Sequence, residues 1–280
     1  MTEAAGYTPQ SYSKYFKTKE RKEIQKELLK QLVQEVRRYE PCCGGRKLYQ
    51  RIIEDYKTQG YAIGRDKFFE FLREENLNVE YPKYGVFTTY SAHDYAVAPN
   101  RAKDMEIIAS NEVFVSDITY LRLKNNKFAY LFIVSDAFSR KILGWQLSDN
   151  LCHSEAIKAL KMATSDIENT SGIVHHSDRG VQYCCHGYLD ELRSLKMIAS
   201  MTDASHCYQN AIAERINGIL KREFMLGATF RDIEQARAAT YSAIDTYNNR
   251  RTHWSLNLRT PAQVYRNSFN LNETMRNMDF

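Results

Sequence analysis

The chain has 280 residues, enough for one large domain or two modest ones. Its hydrophobic content of 43% and charged content of 26% are ordinary for a folded protein, and with only 12 glycines and 5 prolines no long segment is forced to stay unstructured. The longest strongly apolar stretch, Phe128 to Val134, is far short of the roughly 20 residues that span a bilayer. The opening MTEAAGYTPQ lacks a secretory leader's basic-then-apolar pattern, so the expectation is a cytoplasmic protein with no membrane partner.

Six cysteines stand at 42, 43, 152, 184, 185 and 207. Adjacent pairs do not match spaced zinc-ligand patterns, and histidines at zinc-site spacing are missing, so they read as reduced thiols. The net charge of +5 is concentrated early: residues 1–90 carry 17 Lys/Arg against 13 Asp/Glu, the other 190 carry 22 against 21. That bias suits a polyanionic partner but is weak support alone.

Residues 20–39 place Ile24, Leu28, Leu32 and Val36 at intervals of four, an apolar stripe at helical period. Pro41–Gly45 breaks it. A second helix is expected from about Arg46 to Gln59, with Leu48, Ile52 and Tyr56 aligned. After the Gly60–Gly64 turn a third covers about Arg65 to Glu75 and buries Phe68, Phe69 and Leu72. Three short helices with tight glycine turns fit a helix-turn-helix module, with Arg65 and Lys67 at the start of its last helix where DNA would be met. A small helical bundle for protein contacts remains the alternative. This all-α region is assigned to 1–79, followed by an aperiodic linker over 80–110.

From Asn111 the pattern changes to strands. Val113, Val115, Asp117, Thr119 and Leu121 share one face, and Phe114, Ser116, Ile118 and Tyr120 the other; a central strand with one charge in it is expected. Lys124–Lys127 turns into a second strand, Phe128–Ser135, and DAFSR into a third, Lys141–Ser148, all antiparallel. A helix follows at about 154–168, with Ile157, Leu160, Ala163 or Thr164, and Ile167 inward. Next come a strand at 172–177 ending on Asp178, a helix near 188–195, a strand at 197–201 and a long helix from about Gln209 to Phe224. The order βββαβαβα is the ribonuclease-H-like arrangement: an α/β core with a mixed sheet over 111–226. A helical extension occupies 227–280.

Three acids stand where such a core would gather them. Asp117 is in the middle of the central strand, Asp178 lies just past a neighbouring strand, and Glu214 sits on the last helix. There Asn210, Glu214, Asn217 and Lys221 form a polar stripe apart from Ile212, Ile216, Ile219, Leu220 and Phe224. Converging carboxylates need cations, and hard oxygen ligands suit two Mg²⁺ or Mn²⁺ ions able to drive phosphodiester chemistry. Taken singly, Asp178 also reads as a turn cap and Glu214 as a solvated helix face, whereas an isolated buried Asp117 would be costly. Asp136 and Asp203 read as turn formers.

The segments VSDITYL, HSDRGVQY and CYQNAIAERINGILKREF around these acids resemble the three catalytic segments of integrase-core (DDE) transposases, and most closely the IS-three family of insertion sequences, its second-frame (OrfB) product. The 35 residues between Asp178 and Glu214 match the spacing that names the D,D(35)E group. SRKILGWQLS, VFTTYSAHDYAVAPN, YNNRRTHWSLNLRTPAQVY and GRKLYQRIIEDYKTQGYAIGRDKFFEFLREENL extend the resemblance over roughly residues 20–265. Gln209-Asn210 replaces the usual Asp-Asn, and Phe114 the usual Trp.

The resemblance implies a DNA transposase that cleaves transposon ends and transfers strands through the freed 3′-hydroxyl, with Asp117, Asp178 and Glu214 as catalytic metal ligands. It implies double-stranded DNA partners (terminal inverted repeats and target), at least a dimer in the DNA complex, an upstream-frame (OrfA) product as a further partner, and a bacterial, nucleoid-associated setting. Asn210, Lys221, Arg250, Arg251 and His253 are candidate DNA contacts beside Arg65 and Lys67; a salt-bridged support for the core is the alternative for the Arg250–His253 group. His176 either orients a ligand or packs. A captured DNA-binding relic and another ribonuclease-H-like nuclease remain rival readings.

Overall fold

The computed structural model describes residues 8–81, 95–103, 105–203 and 210–276. The chain divides into two compact units after Tyr81.

The first unit is helical. Helix α1 (Pro9–Tyr39) begins well before Glu20, because Thr8 accepts a hydrogen bond from Ser11 N at 3.2 Å and Pro9 suits the first helical turn. Its buried face also differs from the expected stripe. A strict four-residue repeat drifts about 40° per step around a helix, so Ile24 is 53% exposed while Leu29 and Val33 are buried. Helices α2 (Gly45–Thr58) and α3 (Arg65–Glu74) complete the core with Leu48, Ile52, Tyr56, Phe68, Phe71 and Leu72. Phe69 packs at the margin, and Phe71 takes the inward place expected for it. Arg51 pairs with buried Glu40.

The second unit is a mixed sheet with helices on both faces. Strands β1 (Val113–Leu123), β2 (Phe128–Asp136) and β3 (Ile142–Ser148) form an antiparallel meander. Its first turn is tight because Asn125 and Asn126 accept left-handed backbone, φ 60° and 56°. Helix α4 (His153–Thr164), β4 (Val174–Ser177), the short α5 (Val181–Cys184), α6 (His186–Ser194), β5 (Ile198–Met201) and α7 (Ala211–Glu223) follow. The strand order is β3-β2-β1-β4-β5, with β4 parallel to β1 and β5 parallel to β4. This is the ribonuclease-H-like arrangement expected from the element order. The structure adds α5 and a two-residue strand β6 (Thr229–Phe230), which pairs with β1 at Arg122–Leu123. Helix α8 (Ile233–Asn249), a 3-10 turn (Trp254–Leu256) and α9 (Pro261–Arg276) close the chain.

Each face of β1 serves one core. Phe114 and Ile118 pack with Phe132, Leu160, Tyr188 and Leu192 under α4 and α6; Leu121 packs with Leu131, Ile216, Leu220, Ile244 and Tyr247 under α7 and α8. Burying each such side chain stabilises by about 1.5–3 kcal/mol. Gly144 on β3 admits α4 closely, since a Cβ there would collide with the backbone of Ala159 and Ala163.

Asp136 ends β2 as a turn former. Its carboxylate accepts from Asn111 N (2.8 Å), Ser139 N (2.7 Å) and Ser139 Oγ (2.5 Å). Much of the expected linker, residues 82–94 and 104, lies outside the described residues, as do Cys207 and Gln209. The described part packs on the sheet: Arg101 N and Ala102 N donate to Ser200 Oγ on β5. No disulfide joins the described cysteines. No helix among the described residues is long and apolar enough to cross a membrane.

Candidate active site

Strand register brings the first two acids together. β1 and β4 pair in parallel from Val113–Val174 to Ser116–Ser177. Asp117 and Asp178 are the next residues on each chain, on strands about 4.8 Å apart. Asp117 Oδ1 accepts from Ile118 N at 2.9 Å, and its Oδ2 from Asn217 Nδ2 at 2.7 Å. Asp178 leaves the strand, and its Oδ1 accepts from Gly180 N at 2.9 Å. The turn-cap reading of Asp178 therefore holds alongside any chemical role.

Helix α7 supplies the third acid. Its apolar side, Ala213, Ile216, Ile219 and Leu220, is buried, while Glu214 is exposed in the first turn. The three acids sense one another. Burial first, then the charges of Asp178 and Glu214, raise the Asp117 carboxyl to about 7 against the hydrogen bonds from Asn217 and Ile118. Partial burial and Asp178 also push Glu214 upward. Among the described residues, no three His, Cys, Asp or Glu side chains converge closely enough to chelate an ion as placed.

A buried polar network lies behind Asp117. Ser116 Oγ and Tyr188 OH both approach His175 Nε2, at 2.7 and 2.9 Å. Burial holds His175 neutral, its pKa lowered to about 3. Asn210 Nδ2 donates to Ser116 O at 2.9 Å. His176 packs inward, with Nδ1 2.9 Å from Ser200 Oγ. Sequence reasoning missed the Ser116–His175–Tyr188 network. The adjacent histidines before Asp178 were its only trace, because partners 13 and 59 residues from His175 become neighbours only when the sheet forms.

The candidate DNA contacts separate into two groups. Arg65, Lys67 and Arg250 are exposed, Arg65 beside Asp66 at 3.1 Å. Lys221 is half-buried; burial lowers its pKa, Asp117 raises it and Arg122 lowers it. Asn210, Arg251 and His253 correct the expectation, because all three are buried. Asn210 holds β1, and Arg251 forms a two-pronged pair with Glu223 at 2.8 Å on each prong. His253 packs edge-on against Tyr247. The salt-bridged support considered for this segment is what Arg251 provides.

A five-stranded ribonuclease-H-like path with acids past the end of β4, on its neighbour β1 and on α7 is the architecture of the ribonuclease-H-like nucleases and strand-transfer enzymes. An integrase core domain model matches residues 109–207, and a second model of the same description matches 195–261. The 31 kDa protein of insertion element IS600 from Shigella sonnei is 31% identical over 223 residues, 78% of this chain and 79% of that protein. The InsF transposase of IS3A from Escherichia coli (strain K12) is 31% identical over 205 residues, covering 72% and 71%. A chain of the simian T-cell lymphotropic virus intasome is 17% identical, covers 79% and 74%, and has a TM-score of 0.49. The chain belongs to the IS3 family of insertion-sequence transposases. It is a DDE-type polynucleotidyl transferase of DNA transposition and integration.

Proposed function

We propose that Asp117, Asp178 and Glu214 are the catalytic carboxylates, holding two Mg²⁺ or Mn²⁺ ions, and that the reaction is cleavage at transposon ends followed by strand transfer from the freed 3′-hydroxyl. The observation that carries this reading is the parallel register placing Asp117 and Asp178 side by side with Glu214 close enough for each charge to disfavour another. The donor set fits hard divalent cations, since every candidate ligand is a carboxylate oxygen and each acid's charge disfavours that of another. Such ions, when bound, activate an attacking oxygen and stabilise the departing one.

The protein's own groups prepare that site. Ile118 N and Asn217 hold both oxygens of Asp117, and Gly180 N holds one oxygen of Asp178, so two acids are oriented before DNA arrives. Glu214 is solvent-facing on α7, and its carboxyl feels the charge of Asp178. Lys221, close enough to feel Asp117 and Arg122, provides a cation for a DNA phosphate beside the acids. Arg65 and Lys67 on α3 serve a helix-turn-helix-type contact over residues 1–79, and Arg250 adds a further cation.

Residues 80–110 connect this region to the core at 111–226, and 227–280 form the extension. Two transposon ends must be cut together, which calls for at least two copies in the DNA complex. An upstream-frame product supplies further end recognition in the bacterial cytoplasm. Duplexes carrying the element's terminal inverted repeats, incubated with Mg²⁺ or Mn²⁺, test the assignment. Asp117→Asn and Glu214→Gln should abolish end cleavage while leaving DNA binding intact, and undiminished cleavage by either variant would overturn it.

A further inference from the structure

Helix α7 touches β1 through two asparagines that bracket Glu214. Asn210 caps the helix and Asn217 lies seven residues on, two turns later and on the same face. Their amides reach consecutive residues of β1: Asn210 Nδ2 donates to Ser116 O at 2.9 Å, and Asn217 Nδ2 to Asp117 Oδ2 at 2.7 Å. Both side chains are buried, 3% and 6% exposed.

Chemistry dictates which way these amides face. A main-chain carbonyl and a carboxylate can only accept, so each asparagine must turn its NH₂ to the strand. Its carbonyl oxygen is then directed away, and both Oδ1 atoms are buried without a partner among the described residues. A buried acceptor left unsatisfied is costly, and the neighbouring helix positions Ala213, Ile216 and Leu220 show that apolar side chains pack there. An apolar side chain would fill the same space but could not donate to Ser116 O or to Asp117 Oδ2. What the asparagines add is a fixed distance between the helix bearing Glu214 and the strand bearing Asp117.

We infer that Asn217 is a positioning residue for the metal-dependent reaction, with Asn210 as the second point of a clamp that sets Glu214 against Asp117. This rests on the carboxylate reading given above. Asn217 restrains Asp117 Oδ2 while Ile118 N restrains Oδ1, so the carboxylate has one orientation to offer a cation. Asn210 anchors the first turn of α7, which carries Glu214. Neither asparagine needs to touch DNA or metal to act.

The test compares full-length wild type, Asn217→Ala and Asn217→Leu, the last keeping the side chain's branched shape while removing the donor. Mn²⁺ titrations of end cleavage are run beside Mn²⁺-induced thermal shifts of the DNA-free protein. Losing an outer-shell partner typically weakens metal affinity about 10–100-fold. Both variants should therefore need about 10-fold or more Mn²⁺ for half-maximal cleavage and for half the thermal shift, and cleavage should recover at high Mn²⁺. A wild-type Mn²⁺ midpoint, within twofold, in both variants would overturn the inference, whether or not their melting temperatures or maximal rates fall. If wild type itself shows neither metal-dependent cleavage nor a thermal shift, the carboxylate reading and the clamp fall together. If wild type responds and the variants match it, only the clamp falls.

Discussion

Asp117 and Asp178 are the first residues beyond the last in-register pair of β1 and β4, Ser116 and Ser177. Two acids 61 positions apart in sequence are thus brought together where β4 ends beside the middle of β1. The sheet's own hydrogen bonding imposes this proximity, so the repulsion between them is built into the folded chain and available to any cation that relieves it.

That repulsion predicts a pH-dependent stability. The Asp117 carboxyl is raised by burial and by Asp178 to about 7, so the folded protein holds its proton more tightly than the unfolded chain does. This contribution is fully present below the ordinary carboxylate range and is lost as pH rises through about 7. In chelator at pH 8, Asp117→Asn should melt several degrees above wild type, since each tenfold difference in proton affinity between the folded and unfolded chain is worth about 1.4 kcal/mol. At pH 4 the two should converge. Thermal melts at both pH values decide it, and parallel melting curves would count against a charged, crowded Asp117.

His175 predicts the opposite limb. Its pKa is lowered by burial to about 3, so the stability it contributes is present above the unfolded value near 6.5 and is lost as pH falls toward 3. His175→Phe should flatten the decline between pH 6.5 and 4. At pH 7.5 it should cost about 1–3 kcal/mol, because Ser116 and Tyr188 lose their shared partner. Urea unfolding across that range measures both effects.

Two cations near the end of α7 should behave differently. Lys221→Gln should lower the slope of log affinity for end DNA against log salt by about 0.9, the value of one phosphate contact, with little change in melting. Arg251→Gln should leave that slope alone and destabilise by about 3 kcal/mol, because Glu223 keeps a charge without its buried partner. DNA titrations at several salt concentrations, paired with melts, separate the roles.

Gly144→Ala should destabilise by about 2–3 kcal/mol, since its methyl meets the backbone of α4 at Ala159 and Ala163. Wild-type melting of this variant would mean that α4 and β3 are less closely packed than described.

The amino-acid sequence by itself determined the order of the main core elements, the strand character of Val113–Leu121 and the apolar side of α7, and singled out the three acids as candidates, because these depend on local period and on motifs read along the chain. Tight turns were legible for the same reason: Asn125-Asn126 and Asp136–Ser139 carry their geometry in adjacent residues. Local signals failed where a face is chosen by what packs against it. Ile24 fits the helical stripe yet is exposed, and Arg251 has the composition of a DNA contact yet is buried against Glu223. Only the tertiary structure decided that Asp117 meets Asp178, that Asn217 reaches back 100 residues to hold Asp117, and that His175 joins Ser116 to Tyr188. Strand register and helix docking create those pairings, and both are set by long-range hydrogen bonding and apolar burial that no single segment contains.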